Sequence, residues 1–184
     1  MRILGNGGGD RVEIGATEGG QWSGDYLAAK STTTISDNTW YHIVGVYDCS
    51  TAPATPKIYI NGAAETLFAN TSQGGAFNIG GTITPPALTI GAYLNSTNDV
   101  ENLAGKIDEL SIWSGELSSG EVSSLYNGGT GAKANSISPD NATLIAYYDM
   151  ECPGPGNTTL TDQTDNGNTG TFDSDMTGGT CGSG

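Results

Sequence analysis

The sequence predicts an all-β fold, an antiparallel β-sandwich with one short C-terminal helix. Glycine supplies 29 of the 184 residues, about twice its usual share of ~7%, which suits many strands joined by tight turns. About ten short segments alternate apolar and polar side chains, and turn signals separate them, as in half-buried strands. Apolar residues at helical spacing occur in a single run, within residues 118–128.

The chain carries a net charge of −14, from 20 acidic and 6 basic residues. Such a surface repels phosphate backbones and anionic lipids, which argues against nucleic acid and membrane surfaces as partners. No apolar run approaches the ~20 residues of a membrane span, so membrane insertion is not expected. The excess of acids is compatible with divalent cations, but the plainer interpretation is solubility alone.

The chain has three cysteines, Cys49, Cys152 and Cys181. Cys152 and Cys181 are able to pair in an oxidising compartment, but an odd count leaves one over, so the disulfide state stays open. The first residues lead into glycine-rich sequence rather than the apolar core of a signal peptide. Export is therefore expected to need a signal outside this chain or another route.

Three strands are predicted before residue 36. Residues 2–4 form a short strand that a run of glycines ends. Residues 10–16 place Val12 and Ile14 on one face and Arg11 and Glu13 on the other, which is typical of a half-buried strand. Residues 25–30 form the third strand.

Residues 38–48 are predicted to form the strand around which the fold is organised. Its two faces are Trp40, His42, Val44 and Val46, and Tyr41, Ile43 and Tyr47. Because both faces are apolar, we expect an interior strand that is covered on two sides. A second strand, residues 57–60, runs into Asn61–Gly62, the sequence preferred by a type I′ hairpin turn, and residues 63–67 are expected to return from it.

Two more strands and the helix follow. Residues 87–93 have apolar positions in phase, whereas residues 104–113 have a mixed pattern that predicts a bulge near Asp108. Ser118 and Glu121 have the spacing of a capping box, which predicts a helix start. The helix is expected to bury one apolar stripe and to end at a glycine; its stripe and terminator are Val122, Leu125, Tyr126 and Gly128.

The runs DNTWYHIVGVYD, KIYINGAAE, LTIGAYLN and LAGKIDELSIWSGELSSGEVSSLYNGG occur in this order within residues 3–129. Together they resemble the laminin G-like domains of the concanavalin A-like lectin/glucanase superfamily. The resemblance implies a concanavalin A-like jelly roll and a binding role more often than catalysis. Many members of the family bind calcium at loops on the rim of the sandwich.

A second run, LIAYYDM followed by TTLTDQTDNGNTGTF, resembles the opening of another such domain. We therefore expect residues 1–128 to form a sandwich that lacks its opening strands, with residues 129–141 as a linker. Residues 142–184 are then either the opening strands of a second domain or a permuted strand that completes the first. In the second case, residues 144–149 are expected to pair antiparallel with residues 107–113.

Catalytic residues are not expected in this chain. Asp108 and Glu109 are adjacent, and adjacent residues of a strand point to opposite faces, whereas a glucanase needs two carboxylates on one face. Lys106 occupies the position two residues before Asp108. The lone histidine, His42, is interpreted as a packed side chain.

Ligand-binding and metal-binding residues are predicted in loops. Sugar recognition needs an aromatic face and nearby amides, and the candidates are Trp22, Tyr93 and Asn95. Trp40 and Trp113 fall inside predicted strands and are interpreted as core. A calcium site needs several oxygen ligands, and one loop offers four: Asn98, Asp99, Glu101 and Asn102. Residues 162–168 form a second oxygen-rich turn. The alternative interpretation of both loops is that they are simply solvated, as acidic loops usually are.

The predicted function is a non-catalytic recognition module, for carbohydrate, within a larger extracellular, virion-surface or cell-surface protein. Its partners would be a glycan or a surface protein, with tandem domains of the same kind, and calcium is the cofactor to be tested. The alternative is a structural or adhesive repeat that contacts protein. A glycoside hydrolase comes third. Fold alone does not decide between these functions.

Overall fold

The computed structural model describes residues 2–4, 9–17, 26–48, 55–68, 89–94, 100–151 and 159–171. The strands in these ranges are β1 (Arg2–Leu4), β2 (Asp10–Thr17), β3 (Tyr26–Ile35), β4 (Ile43–Asp48), β5 (Thr55–Ile60), β6 (Ala63–Ala64), β7 (Leu67–Phe68), β8 (Ala92–Leu94), β9 (Val100–Asn102), β10 (Leu110–Ser114), β11 (Thr143–Tyr148), β12 (Thr159–Leu160) and β13 (Gly170–Thr171). Helix α1 (Ser119–Tyr126) follows β10, and 3-10 turns follow it at Asn127–Gly129 and Ala134–Ser136.

All the strand pairs that the described residues form are antiparallel. The largest sheet has the order β1-β2-β3-β7, and a second has the order β4-β5-β6. Three two-stranded ladders, β8-β9, β10-β11 and β12-β13, accompany them. This confirms the predicted all-β antiparallel fold with a short helix. Within the described residues, no helix is long and apolar enough to cross a membrane.

The two larger sheets pack face to face through a small apolar core. Val12 and Ile14 of β2 meet Ile58 and Ile60 of β5, and Tyr41 packs against the same cluster. Each such side chain contributes about 1.5–3 kcal/mol when it is fully buried. The opposite face of β5 is also covered, since Tyr59 packs with residues of α1 in a second cluster, whose buried members are Val46, Tyr59, Leu117, Val122 and Leu125.

The strand that is covered on both faces is therefore β5, and the prediction for residues 38–48 is wrong in two respects. First, β5 lies between β4 and β6 in its sheet, whereas β4 is half-buried. Second, β4 begins only at Ile43, and Trp40 lies before it with 63% of its surface exposed. The cause is local, because a turn at Asp37–Asn38, with Asn38 at φ 55°, precedes the strand closely.

The hairpin at Asn61–Gly62 is confirmed. Asn61 has φ 52° and Gly62 has φ 76°, the left-handed pair that a type I′ turn requires. The returning segment differs from the prediction, since it divides into β6, which pairs with β5, and β7, which pairs with β3. Glu65, between them, accepts hydrogen bonds from the backbone and hydroxyl of Thr33, so the chain crosses from one sheet to the other there.

Three predicted strands have different limits. β3 continues to Ile35 instead of ending at residue 30. β8 begins at Ala92, after Gly91 at φ 75°, so residues 89–91 of the predicted strand 87–93 do not belong to it, and residues 87–88 lie outside the described residues. β10 begins at Leu110, because Glu109 has φ 51° and interrupts the expected strand 104–113. The irregularity predicted near Asp108 is therefore real, and a register shift occurs farther on, between Ile112 and Trp113.

Helix α1 starts as predicted. The Ser118 hydroxyl accepts from the Glu121 N–H, and the Glu121 carboxylate accepts from the Ser118 N–H, so the capping box is complete. Val122 and Leu125 are buried. The helix ends as the backbone turns left-handed at Asn127 and Gly128, close to the predicted glycine terminator.

Strand β11 pairs antiparallel with β10, as expected for residues 144–149, with Leu110 opposite Tyr148. Ala146, Tyr147 and Tyr148 are buried. The other edge of β11 contacts the turn after β12: the Tyr147 N–H donates to Asp162, and the Asn166 side-chain amide donates to the Ile145 carbonyl. Both edges of this strand are therefore hydrogen-bonded.

Candidate functional site

The acids that most resemble a glucanase pair are engaged in structural contacts. Asp108 accepts from the Glu109 N–H at 3.0 Å, and Glu109 accepts from the Tyr147 hydroxyl. Tyr147 is only 1% exposed, and its pKa is raised, first by burial and then by the Glu109 carboxylate. Glu109 therefore holds a buried tyrosine, and the left-handed backbone at Glu109 places it there.

The predicted ligand and metal residues fall mostly outside the described part of the chain. Trp22, Asn95, Asn98 and Asp99 lie outside the described residues. Tyr93, Glu101 and Asn102 lie in β8 and β9, which are described by their backbone, and Tyr93 is the register partner of Glu101. The β8–β9 ladder therefore places the backbones of Tyr93, from the predicted ligand group, and Glu101, from the predicted metal group, side by side. Both remain predictions.

The second oxygen-rich turn has an internal role. One Asp162 oxygen accepts from the N–H groups of Tyr147 and Thr164, and the other accepts from the Asn168 N–H. Burial raises the pKa of Asp162, but these donors outweigh it and hold the pKa below its ordinary value. Elsewhere in the described ranges too, no group of three His, Cys, Asp or Glu side chains is arranged to hold a metal ion.

Trp40 is the most exposed large apolar side chain among the described residues. It precedes His42 by two residues, so their Cα atoms lie within ~7.6 Å of each other. Between them, Tyr41 packs against the core, and its hydroxyl accepts from the Ser36 N–H. This contact holds the segment in place, so that Trp40 is presented to solvent on an anchored backbone.

His42 joins this segment to the tip of the β5–β6 hairpin. Its N–H donates to Asn61 Oδ1 at 3.0 Å, and its carbonyl accepts from the Asn61 N–H at 2.8 Å. Its ring lies 5.9 Å from the ring of Tyr126, and its Nδ1 is buried with no hydrogen-bond partner. Burial lowers the pKa of His42, so the ring is neutral at pH 7.

The end of α1 completes this region. A Cβ on Gly62 would lie 2.9 Å from the Tyr126 ring, so the hairpin tip fits closely against that side chain. We call the group of Trp40, His42, Asn61, Gly62 and Tyr126 the hairpin rim. It combines an exposed indole with a half-buried imidazole, a phenol and an exposed amide, and none of these side chains is charged at neutral pH.

A second exposed aromatic lies on the largest sheet. Phe68 is 55% exposed, and the Arg11 guanidinium lies 5.0 Å from its ring centre. The guanidinium also donates to the carbonyls of Ser31 and Thr32. Beside them, Lys30 pairs at 3.3 Å with Glu13, which is only 2% exposed. Arg11 and Lys30 thus both have partners within the protein.

Sequence reasoning assigned Trp40 to the core and so missed the hairpin rim. The alternation from residue 40 to 47 fits a strand, and it does not show whether a neighbour covers the first residues. The available signal was the polar run Ser36–Asp37–Asn38, which predicts a turn that ends only two residues before Trp40.

Comparison with known proteins agrees with the fold. A laminin G-like family model, described as the concanavalin A-like lectin/glucanases superfamily, matches residues 1–123, about two thirds of the chain. Searches of curated proteins and of solved structures find no significant match. The matched range includes β1 to β10 and every residue of the hairpin rim except Tyr126. The chain therefore belongs to the concanavalin A-like lectin/glucanases superfamily.

Proposed function

We propose that this protein is a non-catalytic carbohydrate-recognition module of an extracellular or virion- or cell-surface protein, and that it binds its glycan at the hairpin rim. The observation that carries the proposal is the exposure of Trp40, at 63%. Members of this superfamily include both lectins and glucanases, so the fold admits binding and hydrolysis, and the choice rests on the site.

An exposed indole on an anchored backbone suits the apolar face of a pyranose ring. Tryptophan offers a large flat surface and has few rotatable bonds, so little conformational entropy is lost when a sugar stacks on it. Tyr41 and His42 fix the backbone on the C-terminal side of Trp40 through the contacts described above. The platform is thus largely formed before the ligand arrives, which favours affinity.

The absence of catalysis in the proposal rests on the acids. A glycosidase places two carboxyl groups on either side of the scissile bond, about 5–10 Å apart and open to the substrate. Glu109 accepts the hydroxyl of a buried tyrosine, and Asp108 accepts a backbone N–H next to it. This pair supports the local fold, and the proposal therefore gives it no catalytic role.

The test is a glycan array probed with the wild-type chain and with Trp40→Ala and Phe68→Ala, two variants that each remove one exposed aromatic. Loss of an aromatic side chain on which a ring stacks costs about 1–3 kcal/mol, so Trp40→Ala should weaken the best hit by about five- to 150-fold. Phe68→Ala should bind as the wild type does, and melting temperatures should show that both variants fold.

Two results would overturn the proposal. One is an array without hits together with tight self-association or binding to a surface protein, which would favour an adhesive repeat. The other is a hit that Trp40→Ala retains and Phe68→Ala loses, which would move the site to the face of the largest sheet.

A further inference from the structure

We infer that the Asn61 side-chain amide is the hydrogen-bond donor that orients the ligand at the hairpin rim, and that the ligand is a neutral sugar rather than a uronate or a sulfated glycan. This inference rests on the proposed function, because it names a contact residue and a ligand class for the same site. It follows from the hydrogen bonds of the hairpin tip.

The orientation of the Asn61 amide is fixed by the protein. Its Oδ1 accepts the His42 N–H at 3.0 Å, and a backbone N–H is able to donate only, so the oxygen must face His42. The NH₂ group on the same planar amide then points the other way. The Asn61 N–H donates to the His42 carbonyl as well, so the backbone that carries the amide is held too.

The two donors of this NH₂ group are available to a ligand. Asn61 is exposed, and its Nδ2 has no hydrogen-bond partner among the described residues. Asn127 is a useful contrast, since it also precedes a glycine and has φ 48°, yet its Nδ2 donates to Thr130 and Gly131. Asn127 uses its amide to close a helix end, whereas Asn61 uses only half of its amide internally.

A sugar supplies what these donors need. A pyranose that stacks on Trp40 carries hydroxyl and ring oxygens around its rim, and each of them accepts hydrogen bonds. Asn61 pairs with the backbone of His42, and the Cα atoms of His42 and Trp40 lie within ~7.6 Å of each other. We therefore place a sugar on Trp40 next to the hairpin tip that carries the amide. The indole then supplies contact area, and the directed N–H groups select one orientation of the sugar.

Charge decides between neutral and acidic sugars. The hairpin rim carries no cation at neutral pH, and Asp37 lies in the turn just before Trp40. The whole chain has a net charge of −14, which repels carboxylates and sulfates. An anionic glycan would meet this repulsion without a compensating positive group at the rim.

Asn61→Asp tests the NH₂ donors of the amide separately from its oxygen. Aspartate keeps an oxygen for the His42 N–H and tolerates φ 52°, but it replaces both donors by an acceptor. We expect its melting temperature to stay near that of the wild type, and its affinity for the sugar to fall about tenfold. Asn135→Asp, at an exposed position of the turn Ala134–Ser136, adds the same charge elsewhere and should bind as the wild type does.

The probes are cello-, laminari-, malto- and manno-oligosaccharides for the neutral class, and heparin and oligogalacturonate fragments for the acidic class, measured by calorimetry at 150 mM salt. If Asn61→Asp folds poorly, Asn61→Gly, which also tolerates the turn geometry, should show the same loss.

The outcomes separate the two levels of the argument. Loss of binding in Trp40→Ala with full binding in Asn61→Asp or Asn61→Gly would leave the site in place and refute the role of Asn61. Equal loss in Asn135→Asp would also refute it, since charge alone would then explain the effect. Preference for the heparin or galacturonate fragments would overturn the neutral class, and failure to bind any probe would count against the proposed function itself.

Discussion

Asp162→Ala should destabilise the protein far more than Asp165→Ala, a change in the same turn. The wild-type carboxylate accepts hydrogen bonds from the N–H groups of Tyr147, Thr164 and Asn168, at 3.1, 3.0 and 2.8 Å. It also accepts the Thr164 hydroxyl at 2.9 Å. Alanine removes the carboxylate that accepts all of these hydrogen bonds, so the four donors lose their partner within the protein.

The magnitude follows from which donors water is able to reach. Tyr147 lies in a buried strand, so its N–H would stay unpaired at a cost of about 1–3 kcal/mol. The other donors are partly exposed and recover part of their loss by bonding to water, so we add roughly 1 kcal/mol for them together. The expected total is about 3 kcal/mol, or a fall in melting temperature of about 6–12 °C for a chain of this size.

The assay is urea unfolding followed by circular dichroism, with Asp165→Ala as the matched control. Asp165 lies in the same turn with an exposed side chain, so its removal should change the free energy of unfolding by less than ~0.5 kcal/mol. A loss below 1 kcal/mol in Asp162→Ala, or an equal loss in both variants, would refute this account of the turn.

The pH dependence supplies a second check on Asp162. The pKa of its carboxyl is lowered in the folded state, so the unfolded chain binds the proton more tightly. The stabilisation is therefore complete above the unfolded pKa of ~3.9 and is lost as the pH falls through the lower folded-state pKa. The difference between wild type and Asp162→Ala should be constant from pH 7 to about pH 4.5 and should shrink below that.

Two further predictions concern His42 and the loop between β8 and β9. Burial lowers the pKa of His42, so the neutral ring stabilises the fold fully above the unfolded pKa of ~6.5, and this stability is lost as the pH falls towards the folded pKa. The single histidine resonance should therefore titrate below pH 6.5, and His42→Phe should flatten the dependence of stability on pH between pH 7 and 5. An unshifted titration would contradict the burial argument. If Asn98, Asp99, Glu101 and Asn102 bind calcium, millimolar calcium should raise the melting temperature by about 2–4 °C, and calorimetry should show this rise abolished in Asp99→Ala; a rise that persists in that variant would place the ion elsewhere.

The features that sequence predicted well depend on neighbours in the chain. The capping box needs only Ser118 and Glu121, three residues apart, and the turn needs only the left-handed tolerance of Asn61 and Gly62. Both form as expected. Little in the rest of the fold is able to override such short-range geometry, because the interacting groups are already close in the unfolded chain.

The features that sequence missed depend on what covers each strand. Residues 40–47 and 57–60 have similar apolar patterns, but the structure buries both faces of the second segment and leaves Trp40 of the first exposed. An alternating pattern shows which side chains share a face of the strand, but it does not show which neighbour packs against each face. The mixed pattern around Asp108 did predict an irregularity, but the contact from Glu109 to Tyr147, 38 residues away, was beyond local reasoning.

The contacts of β11 show that the fold extends beyond the part that the family model matches. That match ends at residue 123, within α1. Leu125 is nevertheless buried with Val122 in the core cluster, and β11 donates and accepts along the length of β10. Tyr147 is buried against Glu109, and Asp162 holds its backbone from the other side. Because these contacts tie residues 143–148 and Asp162 to a strand of the matched region, a loss at Asp162 should appear in the cooperative unfolding of the whole described sandwich. A separate, earlier transition in Asp162→Ala would instead show that β11 and its turn unfold independently of β10.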